Sequence, residues 1–244
     1  MTRQRALATL VLILALSLPL GAAAEDPPGP TTRHQFRVDG LPVAGQAEVV
    51  TFVNEFQPGA ATPPHTHPGL TMVTVLEGEL TFRTPAGEQV YQVGGSFAEG
   101  PNEVVMARNA SAGKTRVMVS VVLPKGAAPS TPQPGGPSPA PPTPTTSYLA
   151  RTDATPPADP YEVAQVVLDF TPSAHTPMHT HPGQVFVTVL EGEITFTTGG
   201  ADRVYRVGES FIEQPGVVGL ARNAGGAKAS VMATYLLPQG APLS

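Results

Sequence analysis

The chain has no cysteine and no tryptophan, and only 14% of its 244 residues are charged. The missing cysteine excludes disulfide bonds, thiolate catalysis and thiolate metal sites. The missing tryptophan and the aromatic content of 6% weigh against base-stacking platforms for nucleic acid. Motifs of serine hydrolases, P-loop nucleotide hydrolases and dinucleotide-binding enzymes are also missing.

The first 24 residues have the pattern of a cleavable secretory signal. Arg3 and Arg5 precede an apolar run at residues 6–20, and small residues then lead to an Ala-x-Ala site ahead of Glu25. The run is shorter than the ~20 residues that a membrane-spanning helix needs. We therefore expect a secreted or periplasmic protein with no membrane contact after cleavage. Its net charge of −5 becomes −7 when both arginines leave, which argues against nucleic acid as a partner.

The two halves of the chain repeat each other at a constant shift. Residues 73–79 (VTVLEGE) align with residues 187–193, and the ungapped register holds over residues 48–124 and 162–238. Between the halves, residues 126–147 are almost only Pro, Ser, Thr, Gly and Ala, without charge. Such a composition cannot bury enough surface to fold. It predicts an extended, semi-stiff linker that holds the halves apart.

Within each half the residue pattern predicts β-strands. Short segments rich in Val, Thr, Phe and Tyr, such as residues 49–56 and 117–123, alternate with Gly, Pro and Asn turns. Without crossover helices the strands should pair antiparallel, as in small barrels or jelly rolls. The predicted division of this all-β chain is a signal peptide (1–24), a flexible segment (25–33), a first barrel (34–125), a linker (126–147) and a second barrel (148–244).

Each half carries a His-x-His pair, His65 with His67 and His179 with His181. On a strand, residues two apart point to the same face, so the two imidazoles of a pair converge. Neutral imidazole is a common ligand for Zn, Mn, Fe, Ni and Cu. Each pair therefore predicts half of a site for a divalent metal ion.

The surroundings of these pairs resemble the first motif of the cupin superfamily, which is glycine, His-x-His, glutamate and glycine. The strings HTHPGLTMVTVLEGELTF from His65 and HTHPGQVFVTVLEGEITF from His179 carry this resemblance. The second motif of the family matches in spacing at residues 94–109 and 208–223. The resemblance covers both halves and implies a bicupin, that is, two tandem double-stranded β-helix barrels of jelly-roll type.

The sequence departs from the family at half of its metal ligands, which are three histidines and one glutamate. The glutamate position holds Thr71 in the first half and Val185 in the second, while the last histidine position holds Val105 and Gly219. Together with Gln184, these residues are expected to line a ligand pocket. Two imidazoles alone fall short of the three protein ligands of catalytic zinc sites, so the resemblance implies a weakened affinity for metal.

Two sets of residues are candidates to replace the missing ligands. His175 precedes His179 by four residues, so His175, His179 and His181 form a candidate three-histidine set. The alternative is a loop histidine in solvent. Glu99 and Glu213 occupy equivalent positions ahead of the last histidine position of the second motif, either as inward carboxylate ligands or as surface and turn residues.

Two functions stay open at this stage. The first is an exported protein that binds a small polar or anionic molecule in its barrels, with little or no tightly bound metal. The second is a metal-dependent enzyme that resembles oxalate decarboxylases or two-domain dioxygenases. The loss of two ligands in each half favours the first. The barrels can pair within the chain or form a homo-oligomer.

If residues 1–24 are a signal peptide, the exported protein should begin at Glu25. Intact-mass and N-terminal peptide analysis of protein purified from the periplasm or the medium measures this start. Exported protein that still contains Met1 would contradict the interpretation.

Overall fold

The structure, a computed structural model, describes residues 27–43, 45–158 and 160–244, so the predicted signal peptide lies outside the described residues. The part described is all β, with eighteen strands and no helix, which confirms the predicted fold class. No helix that is long and apolar enough to cross a membrane occurs in these three ranges.

The strands are numbered in chain order. The first ten are β1 (Thr31–Asp39), β2 (Ala47–Phe56), β3 (His65–Thr66), β4 (Leu70–Glu77), β5 (Glu79–Thr84), β6 (Gly87–Gln92), β7 (Ser96–Glu99), β8 (Met106–Arg108), β9 (Thr115–Pro124) and β10 (Thr131–Pro132). The others are β11 (Thr145–Ala154), β12 (Tyr161–Phe170), β13 (Gln184–Glu191), β14 (Glu193–Thr198), β15 (Ala201–Arg206), β16 (Ser210–Glu213), β17 (Gly219–Arg222) and β18 (Ala229–Pro238).

The chain forms two barrels, and each consists of a five-stranded and a three-stranded antiparallel sheet. In barrel 1 the sheets have the orders β11-β2-β9-β4-β7 and β6-β5-β8, and in barrel 2 they have the orders β1-β12-β18-β13-β16 and β15-β14-β17. One apolar core fills each barrel and joins its two sheets, as Val73 of β4 and Phe82 of β5 do in barrel 1.

The first strand of each repeat pairs with the sheet of the other repeat. Strand β1 lies along β12, with Thr31 opposite Asp169, and β11 lies along β2, with Thr145 opposite Glu55. We call β1 and β11 the two arms. They are equivalent, because the constant shift between the repeats is 114 residues and it relates Thr31 to Thr145 and Glu55 to Asp169. Each arm satisfies the backbone groups at a sheet edge that would otherwise be exposed.

The two barrels pack through the outer faces of their five-stranded sheets. Strand β4 is buried along six consecutive residues because one face lines its own barrel and the other contacts the second repeat. Ser120 Oγ and Thr234 Oγ1 are equivalent residues that lie 2.9 Å apart in this interface. Contact between equivalent residues places them on a pseudo-twofold axis.

The Pro-rich segment does not hold the halves apart, which corrects the sequence-based expectation. Both of its neighbours, β9 and β11, belong to the five-stranded sheet of barrel 1, and β10 within it pairs with β3. Along residues 31–238, so far as the structure describes them, the chain changes barrel between β1 and β2 and between β11 and β12. The segment therefore lies across barrel 1, because arm exchange keeps both of its ends on that barrel.

Asp169 holds the first arm to barrel 2. Its carboxylate accepts hydrogen bonds from Arg33, one of them 2.9 Å long from Nε, and it lies 3.1 Å from Lys228 Nζ. Burial alone would raise the pKa of Asp169, but the hydrogen bonds from Arg33, Lys228 and Ser230 outweigh it and lower that pKa. The anionic form is therefore stabilised by folding.

Asp169→Asn should lower the free energy of unfolding at neutral pH by about 1 kcal/mol. Since the folded-state pKa is below the ordinary value, this stabilisation is present above about pH 4 and is lost as the pH falls through the folded-state value. Urea titrations of both proteins at pH 7 and pH 3 measure the difference. Asp153→Asn, at the exposed ion pair with Lys125, is the control and should change stability less. An equal loss for Asp169→Asn at both pH values would contradict the assignment.

Candidate metal centres

Backbone pairing and one glycine place each His-x-His segment at the mouth of its barrel. His65 exchanges backbone hydrogen bonds of 3.0 and 2.9 Å with Val105, and His179 exchanges two of 3.0 Å with Gly219. Two residues after each pair the chain turns inward at Gly69 or Gly183. A Cβ atom at Gly69 would lie 1.9 Å from the carbonyl oxygen of Val122, so only glycine permits this approach.

Backbone carbonyls orient all four imidazoles. The Nδ1 atoms of His65 and His179 lie 3.0 and 2.9 Å from the carbonyl oxygens of Pro63 and Pro177. His67 and His181 make the same contact with distant parts of the chain, which are the carbonyls of Pro129 and Leu243. A carbonyl only accepts, so each Nδ1 donates its proton, and a neutral ring then presents the Nε2 lone pair to an ion.

A buried glutamate completes each cluster. Glu99 and Glu213 are only 5% and 8% exposed, so their interpretation as surface carboxylates is wrong and the inward alternative holds. Glu99 Oε2 lies 2.9 Å from His67 Nε2. In the second barrel Glu213 Oε2 lies 3.5 Å from His181 Nε2 and 3.8 Å from His179 Nε2.

The register of the sheet explains why these glutamates reach the site. Glu99 on β7 lies directly opposite Thr71 on β4, and Glu213 on β16 lies directly opposite Val185 on β13. Residues directly opposite each other in an antiparallel pair project from the same face with Cβ atoms about 5 Å apart. The carboxylate therefore comes from the strand next to the one that carries the vacant glutamate position.

The two clusters fit a divalent metal ion. One ligand atom from each of His65, His67 and Glu99 lies within 4.8 Å of the others, and the same is true of His179, His181 and Glu213. Glu99 Oε2 is buried with the His67 Nε2 atom 2.9 Å away, whereas His181 Nε2 is buried without a hydrogen-bond partner. Such a group costs roughly 1–3 kcal/mol when it stays unsatisfied. A bound cation would satisfy His181 Nε2, and imidazole and carboxylate are ligands that transition metals accept.

The two histidines of the first cluster have opposite pKa shifts. Burial lowers the pKa of His65. Burial would also lower the pKa of His67, but Glu99 and the carbonyl of Pro129 outweigh it and raise that pKa. In barrel 2 the same balance, with Glu213 and the carbonyl of Leu243, raises the pKa of His181.

His175 lies outside the second cluster, where Glu213 is the third group. Its Nδ1 contacts the carbonyl oxygen of Thr176 at 2.8 Å, and its backbone N–H donates to Pro28. The equivalent backbone hydrogen bond in barrel 1 runs from Ala61 to Pro142. His175 therefore lies at the position where each barrel binds the segment that precedes an arm strand.

The five expected pocket residues lie in different environments. Thr71, Val105 and Val185 are almost completely buried in the barrels. The Gln184 side chain points away from the cluster, because it accepts a hydrogen bond from Thr155 and donates one to Gln214. At Gly219 a Cβ atom would lie 2.6 Å from the Phe196 ring, so the phenylalanine fills the place where the family has its last histidine.

Comparison with known proteins gives one family and several similar folds. The profile of a family described as the cupin domain matches residues 52–122 and 166–235. The chain is similar to AerE from Microcystis aeruginosa, with 13% identity, 88% of this chain and 100% of AerE covered, and a TM-score of 0.54. A comparison with curated proteins found no match.

Two further solved structures are similar to this chain. One is the Bacillus subtilis oxalate decarboxylase, described with Mn(II) centres, at 13% identity, with 89% of this chain and 80% of that chain covered and a TM-score of 0.55. The other is vicilin from Solanum lycopersicum, at 11% identity, with 79% of this chain and 75% of that chain covered and a TM-score of 0.59. At such identities the likeness shows a shared fold alone.

In metal-stripped protein, His67 should titrate above the ordinary histidine pKa and His65 below it. Glu99→Gln removes the carboxylate, so the pKa of His67 should fall while burial still keeps that of His65 low. NMR titration of the imidazole resonances measures both values. A His67 pKa that does not respond to Glu99→Gln would contradict the geometry of the cluster.

Proposed function

The chain belongs to the cupin family, with two tandem cupin domains, and we propose that each domain binds a divalent transition-metal ion through two histidines and one glutamate. The observation that carries the proposal is the cluster of two histidines and one glutamate in each barrel, with His181 Nε2 buried without a hydrogen-bond partner. The predicted loss of tight metal binding rested on two vacant ligand positions. In this proposal Glu99 and Glu213, one of the two replacement sets that the sequence suggests, are the third ligands of the two clusters.

Three protein ligands leave coordination positions open for water or a small molecule, as in catalytic metal sites. When bound, the ion acts as a Lewis acid toward an oxygen donor of that molecule. The protein residues hold and orient the site, because the carbonyls of Pro63 and Pro129 fix the rings of His65 and His67. The proposed function is metal-dependent binding of a small organic molecule in a barrel, the first step of any cupin chemistry at this site.

Partner class and location are proposed from the sequence. The acidic charge and the low aromatic content support a small-molecule ligand rather than a nucleic acid. Residues 1–24 support a site of action outside the cytoplasm.

A metal-free binding module is the second candidate, and one contact favours it. His67 Nε2 and Glu99 Oε2 lie 2.9 Å apart, so an imidazolium and a carboxylate can pair there without an ion. The second barrel lacks so close a contact, since its shortest such distance is 3.5 Å. Metal content therefore separates the two candidates most clearly in barrel 2.

Protein loaded with Zn²⁺ or Mn²⁺ should retain two ions per chain after desalting, as measured by elemental analysis. Glu213→Gln should leave one ion and the double variant Glu99→Gln/Glu213→Gln none. Removal of outer partners of metal ligands costs about 10–100-fold in affinity, and loss of a ligand should cost at least as much.

His175→Ala is the matched control, because His175 lies in the same segment but outside the cluster. It should keep both ions. Wild-type protein that takes up no metal at micromolar concentration would overturn the metal proposal and leave the binding module. Metal loss in His175→Ala but not in Glu213→Gln would reassign the ligands.

A further inference from the structure

The interiors of the two barrels differ in size although their clusters are equivalent. The cavity beside the cluster of barrel 1 has a volume of about 140 Å³, and the cavity of barrel 2 has about 30 Å³. A cavity of roughly 150 Å³ with an apolar lining binds benzene or xenon, whereas about 30 Å³ is the share of one water molecule. Barrel 1 therefore has room for an organic molecule, and barrel 2 has room for little more than water.

One substitution between the repeats accounts for much of this difference. Tyr235 on β18 lines the cavity of barrel 2, and its ring centroid lies 5.5 Å from that of His181. The equivalent residue in barrel 1 is Val121 on β9, whose smaller side chain is buried in the core and does not reach the cavity. The tyrosine occupies the space next to the second cluster that stays open next to the first.

The lining of the larger cavity indicates the chemistry of its occupant. Its walls are mainly apolar and include Phe52, Phe97 and Val119. Polar groups are concentrated at the cluster, with Asn54 and Thr62 as further polar residues of the lining. Burial of an unpaired polar group is costly, so an apolar body belongs against these walls and a polar end against the cluster.

We propose that the two centres have different roles and that Tyr235 separates them: barrel 1 takes the organic ligand, and barrel 2 holds only an ion and water. The ligand is a molecule of about six non-hydrogen atoms with an apolar body and one oxygen-donor end, such as a short branched carboxylate. This inference rests on the proposed metal function only for the ion that binds the polar end of the ligand. The difference between the two cavities does not depend on any ion.

Xenon tests the cavities without metal. Metal-free crystals under xenon pressure should show one xenon atom in barrel 1, near Phe97 and Val119, and none in barrel 2. Tyr235→Val should create a second xenon site, because it removes the ring from the cavity of barrel 2. Val121→Tyr should remove the first site, and circular dichroism checks that each variant folds.

The variants make each outcome decisive. Xenon in both wild-type barrels, or in neither, overturns the inference, as does Tyr235→Val without a second site. If Val121→Tyr fails to fold, Tyr235→Val decides alone, since it adds no atoms to a packed core.

Isobutyrate tests the chemical class of the ligand. Calorimetry on Zn²⁺-loaded protein should show one isobutyrate bound per chain, with binding at least ten-fold weaker in Val121→Tyr and a second site in Tyr235→Val. Two sites per wild-type chain, or no binding to loaded protein, would overturn the ligand assignment. If the protein takes up no Zn²⁺, the metal function fails, while the xenon result still tests the difference between the barrels.

Discussion

The reciprocal pairing of β1 with β12 and of β11 with β2 is the constraint on which the rest of the structure depends. Because each arm completes the sheet of the other repeat, neither barrel is a closed unit made from one continuous half of the chain. The outer faces of the five-stranded sheets then pack together, and the interface brings Ser120 into contact with its own equivalent, Thr234. Arm exchange also keeps both ends of the Pro-rich segment on barrel 1.

That path of the chain has a direct effect on the two histidine–glutamate clusters. The segment that crosses barrel 1 supplies the carbonyl of Pro129 to His67, and the C-terminal tail supplies the carbonyl of Leu243 to His181. The two carbonyls are related by the same shift of 114 residues as the histidines, so the duplication extends to residues 126–130 (GAAPS) and 240–244 (GAPLS). Low sequence complexity in the linker therefore coexists with a defined position at the site.

Within this shared frame the two repeats have diverged at single positions. Gly219 leaves room for the Phe196 ring, and Tyr235 fills the interior of barrel 2, whereas Val121 leaves barrel 1 open. The clusters themselves have kept the same three residue types. The residues that differ between the two cavities therefore lie outside the clusters.

The sequence alone determined the all-β class, the duplication and the convergence of each His-x-His pair, because these features follow from local patterns and a constant register shift. The role of Glu99 and Glu213 depended on which strand lies beside β4 and β13, and residue spacing does not contain that information. Likewise, the carbonyls of Pro129 and Leu243 left no signal, since any residue type supplies a carbonyl. The arm exchange and the size of each cavity were decided by tertiary packing, because they depend on contacts between residues that are distant in the chain.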